Sequence, residues 1–338
     1  MSLLLLLLGF LPLALIGLML FTISFVDWVL SQTRWLFGLF FLLGLFFLLG
    51  LFFFSLKLHA LALQFFERHF KSPYHWKKTD TTTVILIITS AMITFSLGHT
   101  FQFGAYLSSA VVGLSGAIFF KRQKTITYTG SFIGMTHTVF LPDFWCIILA
   151  AVVTGVIYVF SRHTFVGYGG KLGALSLIGT LTSGYILGHR PVSLMIPDVK
   201  MQLWLIFFSL LGTWLTLTIR RYLKHDPIFA SSIATMAIVL IGMVIPITIP
   251  HILLAAFMMG TFTAMSNRLV LPHVSLFYLA SLISAITMIF SQPFLENAGG
   301  KLGTLAFIGV ITTRGIVDAY RFIVLYLSAK HKRQLIHK

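Results

Sequence analysis

The chain has 338 residues, of which 58% are hydrophobic and 9% are charged. A soluble globular domain carries roughly 25% charged residues, so the composition excludes a water-soluble protein of this size. The 34 Phe and the mean hydropathy of +0.97 are typical of a protein embedded in a bilayer. A single cysteine, Cys146, excludes a disulfide framework and a cysteine-based metal site. We interpret the net charge of +16 as a signature of membrane orientation, not of nucleic-acid binding.

Twelve apolar segments predict an all-α polytopic membrane protein with about 12 transmembrane helices. They are 3–29, 35–56, 82–97, 102–120, 126–141, 144–161, 171–188, 201–219, 228–246, 251–267, 274–291 and 301–328. The first segment lacks a basic start and a small-residue cleavage site, so we interpret it as a helix and not as a signal peptide.

The distribution of Lys and Arg predicts the orientation. With the N-terminus inside and twelve crossings, 18 of these residues lie inside and 4 outside. The positive-inside rule therefore favours cytoplasmic N- and C-termini, and we expect a bacterial inner membrane. In chain order we predict two N-terminal helices (1–56), a basic amphipathic cytoplasmic segment (57–81), two halves (82–200 and 201–329) and a basic cytoplasmic tail (330–338).

The longest polar stretch, 57–80, begins with the apolar spacing of an amphipathic helix. A basic helix of this kind is expected to lie in the membrane interface on anionic lipid. The alternative is an arm that binds a partner protein.

An internal repeat aligns 130–182 with 260–312 without a gap, at a constant offset of 130 and with 18 identities in 53 positions. Matched Gly, Pro and Lys residues, above all the pentapeptide GGKLG, are not explained by shared apolarity. Five predicted crossings separate the two copies, so the second copy is expected to run opposite to the first. We therefore predict two inverted repeats of five helices each, preceded by two extra helices. Such repeats build carriers with a midplane site between the halves, and they also build channels.

The short, polar and glycine-interrupted segment 126–141 and its mate 256–271 are the first candidate site. Discontinuous helices in corresponding positions of two halves point to a transport path, whereas tight helix packing is the alternative. His137, whose equivalent is Asn267, is either a proton-exchanging group or a structural hydrogen-bonding one. The predicted path residues are Thr129, Gly130, Ser131, Thr136, His137, Gly260, Thr261, Ser266 and Asn267.

The two GGKLG copies are the second candidate, because each is expected to open a helix. Gly170, Lys171, Gly300 and Lys301 would present backbone N–H groups and a cation to an anion. If both loops stay at the membrane surfaces, they lie on opposite faces and merely start helices, which is the arrangement we expect. If they dip inward, both lysines approach a shared substrate.

Arg314 and Asp318, four residues apart in the last segment, are the third candidate. Charges deep in a membrane mark function by default, and we predict a gate or part of a substrate or coupling-ion site. An internal ion pair that ties the helix to the bundle is the alternative.

One four-residue motif suggests an enzyme. Gly113-Leu114-Ser115-Gly116 resembles the GxSG nucleophile motif of rhomboid intramembrane proteases, and the resemblance implies Ser115 as nucleophile. A matching histidine helix is not evident, and an inverted repeat is not part of that fold. We therefore expect no enzymatic activity, and the sequence suggests no cofactor or metal site.

Taken together, the sequence favours a secondary carrier or channel for a small anionic or neutral solute. Few acidic residues lie at mid-membrane positions, which disfavours a multi-carboxylate cation site. The expected partners are membrane lipid and the solute, with no nucleic acid, and the sequence is compatible with an oligomer. A non-transporting component, such as a lipid-processing enzyme or the subunit of a membrane assembly, is the alternative.

Overall fold

The computed structural model describes residues 9–20, 22, 42–57, 76–191, 195–244 and 249–336, with side chains as far as Ser328. These ranges are helical and contain no β-strand. The helices are α1 (Gly9–Leu20), α2 (Leu42–Lys57), α3 (Lys78–Phe95), α4 (Ala105–Phe119), α5 (Lys124–Gly134), α6 (Phe144–Ser161), α7 (Lys171–Ile186), α8 (Val199–Tyr222), α9 (Pro227–Val244), α10 (His251–Ala264), α11 (Val274–Phe290) and α12 (Lys301–Ile336). A π-helical turn, Ser96–Thr100, extends α3.

Five of these helices are long and apolar enough to cross a bilayer: α3 with its π turn, α6, α8, α9 and α12 as far as Ser328. Large apolar side chains on their outward surfaces are exposed, for example Phe207 on α8 and Ile241 on α9. An all-helical bundle with such surfaces fits integration in a membrane, as the composition predicts.

Within the described residues, each predicted segment contains one α-helix, and α6 has the predicted bounds. The largest difference concerns 126–141, where α5 ends at Gly134 and a non-helical stretch runs on to Asp143. Glycine weakens a helix, and the backbone groups freed at this break are bonded to other parts of the protein, as described below.

The last segment of the chain also differs from its predicted bounds. The last helix continues beyond the predicted 328 and through most of the predicted tail to Ile336. Most of the predicted amphipathic segment, 58–75, lies outside the described residues.

Local chemistry sets two of the helix starts. The carboxylate of Asp198 accepts a hydrogen bond from Met201 N (3.3 Å) at the start of α8. Asp226 does the same for Ile228 N (3.0 Å) at the start of α9, where Pro227 takes the first helical position. Both arrangements satisfy backbone N–H groups that a helix start leaves without partners.

The packing pattern is the same in two sets of five helices. In the first set, α3 packs on α5 and α6, and α6 packs on α7; in the second, α8 packs on α10 and α11, and α11 packs on α12. The two sets meet where α4 contacts α9 and α7 contacts α12. This pattern brings the two GGKLG segments to the centre of the bundle.

Candidate functional site

The starts of α7 and α12 lie against each other. A Cβ built on Gly173 would lie 2.5 Å from Cα of Gly303. Gly170 packs on Gly303 and Phe307, while Gly300 packs on Gly173 and Leu177. The two helices therefore overlap over their first turns and run in opposite directions. The expectation that the GGKLG loops lie apart on opposite faces is not met, because glycine at the crossing allows the backbones to touch.

The break after α5 is bonded to the loop that precedes α12. Gly299 N donates to Thr136 Oγ1 (3.1 Å), and His137 N donates to Asn297 O (3.0 Å). The imidazole of His137 accepts a hydrogen bond from Val139 N through Nδ1 (3.2 Å). His99 on the π turn donates from Nε2 to Thr136 O (3.0 Å), so it caps one of the carbonyls that the break leaves free.

The break after α10 makes the corresponding contacts with the loop that precedes α7. Gly169 N donates to Ser266 Oγ (3.0 Å), and Asn267 N donates to Gly167 O (2.8 Å). Asn267 Oδ1 accepts from Leu269 N (3.0 Å), as His137 Nδ1 does in the first half. Arg220 from α8 donates to Ser266 O (3.0 Å) and to the carbonyl at the end of α10. Each break is thus held by the glycine loop of the other half.

The polar side chains predicted along α5 and α10 are used in packing. Thr129, Ser131 and Thr261 are completely buried, and each hydroxyl donates to a carbonyl of its own helix or meets a neighbouring hydroxyl. Gly130 and Gly260 allow close contact with α3 and α8. Among the predicted path residues, these five therefore join helices, whereas Thr136, His137, Ser266 and Asn267 form the two breaks.

Two cavities flank the crossing, and an aromatic pair lines both. The Lys171 cavity, of about 290 Å³, is lined by the loop 165–172 and by Arg162. The Lys301 cavity, of about 610 Å³, is lined by the loop 296–303 and by His99, His137 and His251. Phe132 and Phe262 line both cavities with their ring centroids 4.8 Å apart. This pair forms a shared wall between the two cavities.

Lys171 is buried at 8% exposure and binds two backbone carbonyls. Its Nζ donates to Ser161 O (2.6 Å) and Thr164 O (2.5 Å). Among the described residues, no carboxylate lies within ion-pair distance of this ammonium. A buried cation without a counter-ion is costly, because two carbonyl dipoles replace only part of its hydration.

The other cations of the Lys171 cavity have carboxylate partners. Lys124 Nζ lies 3.4 Å from Asp226 Oδ2. Arg162 pairs with Asp80, whose side chain is completely buried. These two charges are compensated, so Lys171 is the lining lysine for which the described residues supply no carboxylate.

Lys301 is equally buried but has an acidic partner. Its Nζ donates to Ser291 O (3.0 Å), the equivalent of Ser161 O, and to Glu296 Oε2 (2.6 Å). Glu296 lies in the loop before α12 and lines the Lys301 cavity. The position equivalent to Glu296 in the first half is Val166.

Arg314 and Asp318 form a fully bonded cluster. The guanidinium donates to both carboxylate oxygens (2.9 and 2.7 Å) and to Leu269 O and Val270 O (3.1 and 3.0 Å). Asp318 also accepts from Lys57 on α2 (3.1 Å). The pair thus joins α12 to the second break and to α2, and it lines neither of the two cavities.

Ser115 of the GLSG motif donates its hydroxyl hydrogen to Val111 O (2.8 Å). This is the ordinary bond of a helical serine to the carbonyl four residues earlier. No group of three or more His, Cys, Asp or Glu side chains in the described parts of the chain is arranged to hold a metal ion.

Several residues that shape the cavities were not predicted from the sequence. Phe132 and Phe262 are an identical pair in the repeat, as are Met135 and Met265, each of which lines one cavity. Their identity at matching positions of two broken helices was an available signal. Glu296 carried no such signal, since its role depends on the position of Lys301 in space.

Comparisons with protein-family models, with curated proteins and with solved structures give no significant match to this chain.

Proposed function

We propose that the protein is a membrane carrier that moves a small anionic or neutral solute by alternating access between two inverted halves. The observation that carries the proposal is the pair of unequal cavities on either side of the Phe132–Phe262 wall. A carrier needs a site that is reached from each side in turn, and two cavities that share one wall provide that arrangement.

The opposite directions of α7 and α12 at their crossing support the inverted orientation. So do the reciprocal hydrogen bonds, since each glycine loop holds the break of the other half. Two equivalent halves can exchange roles, so that one cavity widens as the other narrows. The larger Lys301 cavity would then face outward and the smaller Lys171 cavity would face the cytoplasm of a bacterial inner membrane, following the positive-inside orientation.

The central position of the GGKLG segments changes the expected depth of Arg314. This residue is 13 positions after Lys301, which is about 20 Å along a helix. If Lys301 lies near the midplane, Arg314 reaches the edge of a hydrocarbon core whose half-thickness is about 15 Å. Because Arg314 and Asp318 bond to each other, to Lys57 and to two carbonyls and line neither cavity, we treat the pair as an anchor and leave it out of the solute path.

A flux assay tests the function. Purified protein in liposomes should accelerate uptake of an anionic or neutral solute from a panel, with saturation and with exchange of labelled for unlabelled solute across the membrane. Saturable exchange supports a carrier, whereas flux that rises linearly with concentration indicates a channel. Absence of flux for every solute, with monodisperse protein in sealed liposomes, would favour a non-transporting membrane component.

The orientation of the halves has its own test. Val139 and Leu269 occupy equivalent positions of the two breaks, and both are exposed (60% and 84%). Single cysteines at these positions, on a Cys146→Ser background, should react with a membrane-impermeant maleimide from opposite sides of the membrane. Labelling of both from the same side would contradict the inverted arrangement, whatever the flux assay shows.

A further inference from the structure

The two buried lysines differ in how their charges are balanced, although their positions correspond. Each lysine begins a helix and donates to the carbonyl of an equivalent serine, Ser161 or Ser291. Lys301 then meets the carboxylate of Glu296, whereas Lys171 meets a second carbonyl, that of Thr164. Among the described residues, a carboxylate thus lies beside Lys301 and none lies beside Lys171.

The loops that precede the lysines have matching backbones, so Val166 and Glu296 hold the same structural position. Phe165 and Leu295, immediately before them, both have positive φ (48° and 56°), as do Gly167 and Asn297 immediately after them (82° and 66°). Such values are uncommon outside glycine, so their recurrence at equivalent positions defines one loop conformation.

The Val166 side chain lines the Lys171 cavity and is 67% exposed. The space that the Glu296 carboxylate takes beside Lys301 therefore corresponds to space in the cavity beside Lys171. An ammonium has three donors, and two of those of Lys171 are directed to carbonyls. Within the described parts of the chain, the third donor has no protein partner and is free for a ligand.

We propose that the Lys171 cavity binds a small oxyanion, a carboxylate or an inorganic oxyanion, whose oxygen takes the place beside Lys171 that Glu296 takes beside Lys301. This assignment rests on the proposed function, in that it names the class of the transported solute. The anion compensates the one cavity cation that has no described carboxylate partner, and burial strengthens the interaction because water screens it little.

A designed variant tests the site without removing the lysine. Val166→Glu places a carboxylate at the position equivalent to Glu296. This carboxylate should form an ion pair with Lys171 and exclude the ligand. Val166→Gln is the matched control, with the same size and no charge. Lys171→Gln removes the cation itself.

Binding is measured as the rise in the thermal unfolding midpoint of detergent-solubilised protein when potassium chloride is replaced by acetate or phosphate at constant ionic strength. We expect saturable stabilisation of the wild type, and a smaller loss of it in Val166→Gln than in Val166→Glu, because the amide fills the same space but brings no charge to Lys171. The apparent affinity should fall at least about tenfold, roughly 1.4 kcal/mol, in Val166→Glu and Lys171→Gln. The assignment would be overturned if the unfolding midpoint did not rise when chloride is replaced. It would also be overturned if the rise persisted in both Val166→Glu and Lys171→Gln.

The readout separates this inference from the proposed function. Oxyanion binding that is lost in Val166→Glu, together with no flux in liposomes, would retain the site and reject the carrier. If the protein transports a neutral solute but no oxyanion raises its unfolding midpoint, the carrier proposal stands and the oxyanion site is rejected.

Discussion

Gly173 and Gly303 are in contact across the crossing of α7 and α12, and a Cβ built on either would lie 2.5–2.6 Å from the Cα of the other. Backbone on both sides leaves no flexible side chain to move aside. We expect Gly173→Ala to force the helix starts apart and to cost at least about 1–3 kcal/mol, the usual range for overpacking.

The measurement for Gly173→Ala is thermal unfolding in detergent. Gly98→Ala is the control. Its Cβ would lie 3.5 Å from Ser108 Oγ and slightly farther from the backbone of Gly104, which is ordinary van der Waals contact. A Gly173→Ala variant as stable as the control would show that the two backbones are not in direct contact at the crossing.

Removal of the aromatic wall should connect the two cavities. Phe262→Ala removes the ring that contacts Phe132. This ring lies between the Lys171 cavity of about 290 Å³ and the Lys301 cavity of about 610 Å³. We expect liposomes with this variant to leak small solutes without saturation. Phe207→Ala is the control, since Phe207 is 52% exposed on the outer surface of α8. An equal leak in both variants, or none in a folded Phe262→Ala, would exclude this wall as the barrier.

Arg314→Gln should lower stability and leave the cavities intact. The guanidinium has 8% exposure and holds both a carboxylate and two carbonyls of the second break. Loss of one partner of a buried pair costs about 3–5 kcal/mol when the other charge stays uncompensated, and we expect a smaller loss here because Asp318 keeps its bond to Lys57. Arg321→Gln, an exposed site seven residues further along α12, is the control.

Thermal unfolding and flux are to be measured together on the Arg314 variant. A lower unfolding midpoint with residual exchange proportional to the folded fraction is the expected result. Normal stability with no exchange would instead support the gate or ion site that the sequence suggested.

Glu296→Val, which introduces the residue found at the equivalent position 166, should expose a second site of the same kind. Lys301 loses its acidic partner but keeps Ser291 O, so it resembles Lys171 in the wild type. We expect the oxyanion-dependent rise in the unfolding midpoint to grow and to fit two sites in place of one. A response identical to that of the wild type would mean that the two lysine environments are not interchangeable.

Much of the fold could be predicted from hydropathy alone. Each apolar segment contains a helix, and α6 follows its predicted bounds because Pro142 and Asp143 mark its start. The early end of α5 at Gly134 was harder to predict, since it depends on acceptors and donors that lie some 160 residues away, such as Gly299 N.

The candidate site could be predicted only in part, because it too depends on contacts between residues that are far apart in the sequence. Periodicity and repeat alignment singled out Lys171, Lys301 and the two breaks, but they do not determine which helix starts are in contact. The expectation that the GGKLG loops lie on opposite faces followed from treating every segment as a full crossing. That treatment does not hold for α7 and α12, because both begin in the middle of the bundle.

The length of α12 has a mechanical consequence. The helix runs without interruption over 36 residues from Lys301 to Ile336, so its far end lies about 50 Å from the crossing at 1.5 Å per residue. A tilt of about 5° at the crossing would therefore displace that end by about 4 Å. A rearrangement of the two glycine loops that tilts α12 would therefore produce a larger displacement at Ile336 than at the crossing. A fluorophore near the C-terminus would report this movement, although it begins at the centre of the protein.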